Sequence, residues 1–121
     1  MKATATRFIA AACFYTALLA TADARPSIYD GSWDLTFVTQ RGACDPTYNF
    51  TVNINQGIVT HPNLLKFRGY VARSGVVHAS VTVGEKFASG SGRLSGRAGR
   101  GTWAGYAGRE RCSGYWNAQR N

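Results

Sequence analysis

His61 and His78 are the two histidines of this sequence, and the chemistry open to each depends on its neighbours. His78 stands two residues before Ser80, a spacing that puts both on one face of a strand and could pair a nucleophile with its base. No acid stands where it could orient that imidazole, so the pair reads as two surface polar residues. The carboxylates Asp30, Asp34, Asp45, Glu85 and Glu110 are dispersed and form no pair that would split two pKa values into acid and base roles. H-x-H, C-x-x-C and E-x-x-H spacings do not occur, so no metal site is expected. Haem can be held through one His or Tyr, and His61, His78 and Tyr70 are the only candidate ligands here, although each reads first as an uncoordinated polar residue. The chemistry points away from an enzyme and from a built-in cofactor, towards a protein that binds.

The cysteines carry a different chemistry. Cys13 lies in an N-terminal segment with the form of a secretory signal: Lys2 and Arg7, then an apolar run from Phe8 to Ala20, then Ala22-Asp23-Ala24 as an A-x-A cleavage site. That run is shorter than the roughly 20 residues of a spanning helix, so no integral membrane span is expected. A lipid-modified Cys13 would end the apolar stretch, whereas Phe14 to Ala20 continues it. Cleavage after Ala24 leaves residues 25–121 as one domain, periplasmic or extracellular, with Cys44 and Cys112 as an even pair in an oxidising compartment. A disulfide between them would tie the loop after the first strand to the last strand. Closing so long a loop stabilises by on the order of 4 kcal/mol in the chain-entropy treatment, less any strain.

Charge narrows the partners. The full chain carries a formal +8, and residues 25–121 hold twelve Lys or Arg against five acids. Such an excess suits an anionic envelope polymer, a lipid surface or an acidic protein patch, and it also serves solubility. Tyr29, Tyr48, Tyr70, Tyr106 and Tyr115, with Arg interleaved, could stack on bases or sugars. Export removes nucleic acid as a physiological ligand and leaves glycan contact open. Asn49-Phe50-Thr51 matches the glycosylation acceptor pattern and reads as a chance match on a strand.

These residues must be positioned by strands. Tyr48 to Asn55 alternates bulky and polar side chains without a fault, and period two recurs through Trp33–Phe37, Leu65–Val71 and Val77–Val83. Breakers such as Asp45-Pro46, Gln56-Gly57, Pro62-Asn63, Ser74-Gly75, Gly84-Glu85 and Ser95-Gly96 fall between the runs at hairpin spacing. About eight strands follow, over 32–40, 48–55, 57–61, 64–72, 76–83, 86–95, 99–106 and 111–119. The turns are too short for parallel crossovers, so the strands form an antiparallel meander, which curls into a closed barrel or a two-layer sandwich. Trp33, Leu35, Phe37, Phe50, Val52, Ile54, Leu65, Phe67, Val77, Val81, Leu94, Trp103 and Trp116 form the expected core.

The stretch RLSGRAGRGTWAGYAGRERCSGYW, residues 93–116, could pass for a disordered Arg/Gly tail. It keeps period two, and Gly-x-bulky recurs at Gly31-Ser32-Trp33, Gly92-Arg93-Leu94, Gly101-Thr102-Trp103 and Gly114-Tyr115-Trp116. A same-face glycine leaves room for an indole from the adjacent strand, so this stretch is assigned to strands. Arg93, Arg97, Arg100, Arg109 and Arg111 then fall on turns and outward positions and are expected as one basic patch near one end of the late hairpins.

Gly31-Ser32-Trp33 with Arg120 resembles the signature of lipocalin- and avidin-like barrels, in which an early Trp packs at the barrel end under an Arg of the last strand. Gly31-Ser32-Trp33-Asp34-Leu35 with Cys44 is similar to the opening of small secreted bacterial metalloprotease inhibitors, which are eight-stranded barrels; their disulfide closes a short early loop, whereas Cys112 lies far along the chain. Residues 29–33, 42–48, 90–95, 101–105 and 112–120 resemble a family of small exported bacterial proteins with the layout YDG-x-W, GACDP-x-Y, GSGRLS, GTW-x-G and C-x-G-x-W-x-A-x-R. That resemblance implies haem utilisation or adhesion. The expectation is an exported all-β binding protein, holding a small apolar or anionic ligand, haem included, at a barrel mouth or basic rim. The other reading is a secreted inhibitor or adhesion protein that recognises a macromolecule through its loops.

Overall fold

The computed structural model describes residues 27–121, so the segment expected to be a secretory signal, with Ala22 and Ala24, lies outside the described residues. Eight strands follow one another: β1 (Gly31–Arg41), β2 (Thr47–Asn55), β3 (Ile58–His61), β4 (Leu64–Val71), β5 (Val76–Val83), β6 (Lys86–Ser95), β7 (Ala98–Ala107) and β8 (Glu110–Arg120). Each pairs antiparallel with the next, and β8 returns to β1, closing the expected barrel. The third strand starts at Ile58 because Gln56 and Gly57 both have positive φ, 56° and 83°, and make the two-residue hairpin turn themselves. Among the described residues no helix is long and apolar enough to cross a membrane. The wall is apolar inside and polar outside, the inverse of a barrel that faces lipid.

The closing strands are held by two indoles in glycine sockets. Trp103 on β7 pairs with Gly114 on β8, and Trp116 on β8 pairs with Gly101 on β7. Each ring passes over its partner glycine and donates to a carbonyl one strand further on. Trp103 Nε1 reaches Val38 O on β1 at 3.1 Å, and Trp116 Nε1 reaches Ser91 O on β6 at 3.3 Å. A Cβ at Gly92 or Gly101 would stand 2.6 Å from the Trp116 ring. Burying one indole is worth about 4–6 kcal/mol as an upper figure, whereas the glycines at 90, 92 and 101 that make room for it cost about 2–3 kcal/mol together. Burial prevails, and the Gly-rich third is sheet.

One end of the barrel is sealed. Trp33 is 1% exposed and donates through Nε1 to Tyr29 O at 2.8 Å. The Arg120 guanidinium lies 5.6 Å from the Trp33 ring centroid and donates to Ile28 O at 2.9 Å and to Asp30 O. Asp30 in turn accepts from the N–H groups of Gln56, at 2.9 Å, and Gly57, at 3.3 Å, holding the β2–β3 turn against residues 27–30. Burial acts to raise the Asp30 pKa, but hydrogen bonds from the Gln56, Gly57 and Ser27 backbone and the Arg120 charge outweigh it and hold the carboxyl below its ordinary range.

The disulfide fastens the other end. Cys44 in the β1–β2 loop joins Cys112 on β8 across a Cα separation of 6.1 Å. The expected core differs there. Phe37, Phe50 and Val81 are only partly buried, because they line the open end, and Leu35 is partly buried as well, while Tyr29, Val59, Val71 and Ala118 join the buried set. The Leu65 side chain lies outside the described part.

Gly101→Ala would press a methyl into the Ser91 carbonyl and the Trp116 ring. We expect it to lower the unfolding free energy by about 1–3 kcal/mol, as overpacking does, and to couple with Trp116→Phe by about 1 kcal/mol in a urea-denaturation double-mutant cycle. The Asp30 contribution is fully present above the ordinary carboxylate pKa and is lost as pH falls through the depressed folded value. Asp30→Asn should therefore flatten the acid limb of the stability profile in that window, measured by denaturant midpoints across pH.

Candidate functional site

Below the sealed end the interior is nearly solid. The void between Leu35, Phe67, Ala79 and Trp116 measures only about 50 Å³, room for little more than a water molecule or two. The space widens towards the disulfide-tied end into a cavity of about 320 Å³. That falls at the lower limit of the roughly 300–1,000 Å³ found for small-molecule sites.

The mouth is built from aromatic rings carried in by strand alternation. Phe37 on β1 meets Phe50 on β2 edge-on at 5.7 Å and Trp103 on β7 at 6.2 Å, forming the floor. Phe50 continues to Phe67 on β4 at 5.9 Å, so one aromatic network crosses the barrel. The rim carries Tyr48, Leu64, Val83, Phe87 and Tyr106. Val83 is 48% and Tyr106 45% exposed, apolar surface held open to solvent beside a cavity. Phe87 and Tyr106 lie 5.6 Å apart across β6 and β7. Lys86 is the one charged side chain among the described residues lining this cavity.

One lip of the mouth is ordered by polar contacts. Thr39 Oγ1 donates to Asp45 O at 2.6 Å, the Asp45 N–H donates to Tyr48 Oη at 3.2 Å, and the Ala43 N–H donates to Glu110 Oε2 at 3.3 Å. The first two brace the β1–β2 hairpin internally, and the third, with Cys44–Cys112, ties its loop to the start of β8. The lip is thus held by the chain's own covalent and polar contacts, which lowers the ordering cost of binding.

The three haem candidates separate. His61 shares its sheet face with Val59, stacks on Phe67 at 6.1 Å, and meets Phe50 edge-on at 5.9 Å. Its Nδ1 accepts the Asn63 N–H at 3.0 Å, leaving Nε2 as the ring nitrogen a ligand could use. Tyr70 and His78 are cross-strand neighbours on the outer wall and cannot join it. These residues do not fit a haem held from both faces, and His61 serves as a packed member of the aromatic network.

The arginines separate as well, correcting the expectation of one patch. Arg93, Arg97 and Arg100 surround the β6–β7 turn at the sealed end, where Arg97 donates to the C-terminal carbonyls of Arg120 and Asn121. Arg109 and Arg111 flank the β7–β8 turn at the mouth. Successive turns of an antiparallel meander lie at opposite ends, and a full ten-residue strand stands between the two groups. Sequence reading did not identify the aromatic mouth as such. Its signal was the coincidence of Phe37, Tyr48, Phe50, Leu64, Val83 and Trp103 near the same strand ends.

Among the described residues no three His, Cys, Asp or Glu side chains cluster as a metal would require. The chain matches no family model, and neither a curated protein nor a solved structure is significantly similar to it.

Proposed function

We propose that the protein is an exported, non-catalytic binding protein that takes a small apolar ligand into the open mouth of its barrel. The observation that supports this is the asymmetry of the ends. One is stoppered by Trp33, Tyr29 and Arg120, and the other presents a preformed apolar cavity of about 320 Å³ with aromatic rings for a floor. The solid interior restricts the ligand to the mouth, so its size is that of a medium-length alkyl chain or a single ring system. Lys86 on the lining suits a ligand with an anionic group at its outer end. The disulfide accords with residence in an oxidising compartment, periplasmic or extracellular.

Titrating the oxidised protein with a medium-chain alkanoate, followed by calorimetry and Trp emission, tests this reading. Saturable one-to-one binding is expected, with a negative heat-capacity change from apolar burial. Val83→Glu, at an exposed rim position, should weaken binding about tenfold by placing a carboxylate beside the ligand. Lys86→Gln should weaken the alkanoate and leave the matching alkanol unchanged. Haemin is expected to give no Soret change that depends on His61. Absence of saturable binding, or binding indifferent to Val83→Glu, would overturn the proposal.

A further inference from the structure

The outer wall of β4–β7 carries a second feature, independent of the mouth. Alternation turns Lys66, Arg68, Arg93 and Arg100 outward there, and no carboxylate shares that face. Between these cations lies a shallow trough whose floor is Ser80, Ser89, Ser91, Thr102 and Ala104. Tyr70, 56% exposed, and His78 stand along its β4–β5 side. The low floor follows from the inside: Gly90, Gly92, Gly101 and Gly105 accommodate the indoles and the neighbouring strand inward, while the alternate outward positions hold small polar residues.

The register places the charges about the trough. Arg68, Ser80, Ser89 and Ala104 form one cross-strand row, and Tyr70, His78, Ser91 and Thr102 form the next. Arg93 and Arg100 form the row after that, directly opposite each other. A like-charge pair across a ladder is destabilising, and its flanking register positions are Val76 and Asn117, neither of which can neutralise it. Arg68 lies four residues along the strand direction from that pair, about 13 Å at the rise of a strand. Cations at both ends of a hydroxyl floor define a track for an extended polyanion that also offers hydroxyl groups.

We infer that this wall binds an acidic polysaccharide, a linear chain bearing carboxylate or sulfate groups. Hydroxyl side chains can donate to and accept from sugar hydroxyls, Tyr70 offers a ring face, and the arginines engage the anionic groups as charge-assisted donors. A single-stranded nucleic acid fits less well. Tyr70 and Tyr115 close the same row on β4 and β8, about 19 Å apart along the wall at ordinary strand spacing, too far to stack successive bases. A lipid surface would lie across the trough without reaching its floor.

The test measures binding of the oxidised protein to a linear polyuronate, a neutral glucan of matched length and a single-stranded oligonucleotide, at several salt concentrations. The polyuronate is expected to bind with marked salt dependence and the glucan not to bind. Arg68→Gln with Arg93→Gln and Arg100→Gln should lower polyuronate affinity about tenfold or more. Arg41→Gln with Arg109→Gln and Arg111→Gln, an equal charge change at the mouth, should lower it less than about threefold. Tyr70→Ser should weaken binding without altering the salt dependence, and Val83→Glu should leave it unchanged. Equal losses in the two triple variants, tighter binding of the oligonucleotide, or failure of the polyuronate to bind would each overturn the assignment. All substituted positions are exposed, so a loss of binding will not report unfolding.

Discussion

The reciprocal seating of Trp103 over Gly114 and Trp116 over Gly101 is the constraint on which the barrel depends. A meander of eight short strands has two edges, and each is a liability until it is paired. Here the last two strands and the first are joined by more than ladder hydrogen bonds. An indole from β7 reaches a carbonyl on β1, and one from β8 reaches a carbonyl on β6, so each ring spans three strands. Glycine is required beneath them because any Cβ would occupy the ring's position or a neighbouring carbonyl. The same residues that would loosen an ordinary strand thus fasten this one, and they let the sheet coil tightly enough for β8 to find β1.

The closed seam gives the molecule two unlike ends. At one, the chain's own N-terminal turn is drawn over the barrel by Arg120 and Asp30, and Trp33 fills the space below. At the other, the β1–β2 loop is tied to β8 by Cys44–Cys112, and the β1–β8 register shifts between Thr39 and Arg41 just before that loop. The disulfide therefore acts on shape as well as on stability. It adds a covalent link to the hydrogen bonds that already hold the β1–β2 loop at this end.

Much of this was legible in the sequence because strands advertise themselves by parity. Period two located the elements to within a residue or so, and Gly-x-Trp signalled sockets before any partner strand was known. Pairing of Cys44 with Cys112 followed from reading the N-terminal stretch as a secretory signal, a reading that sets Cys13 aside and leaves two cysteines. Parity also places His61 on the face of Val59 and Tyr70 and His78 on the opposite one, so the three haem candidates cannot converge on one ligand. The arginines failed for a related reason: closeness along the chain suggested one patch, although consecutive hairpin turns must lie at opposite ends. What could not be read is which end stays open. That depends on whether residues 27–30 cross the barrel, and a short irregular segment carries no periodic signal of its destination.

Inside and outside are coupled through the glycines. In a strand every inward glycine is followed by an outward residue, so a run that clears space for indoles within also sets the spacing of what is displayed without. In β6 and β7 those outward residues are Ser89, Ser91, Arg93, Arg100, Thr102 and Ala104, low side chains in the middle and guanidinium groups towards one end. Packing explains the glycines completely, yet it is silent on why two arginines should face each other across a ladder with Val76 and Asn117 beside them. Nothing in the fold requires that pair, and simple solubility would be served by spacing the charges apart. A like-charged pair on a wall free of carboxylates leaves two guanidinium groups whose repulsion an anion from outside the fold would relieve.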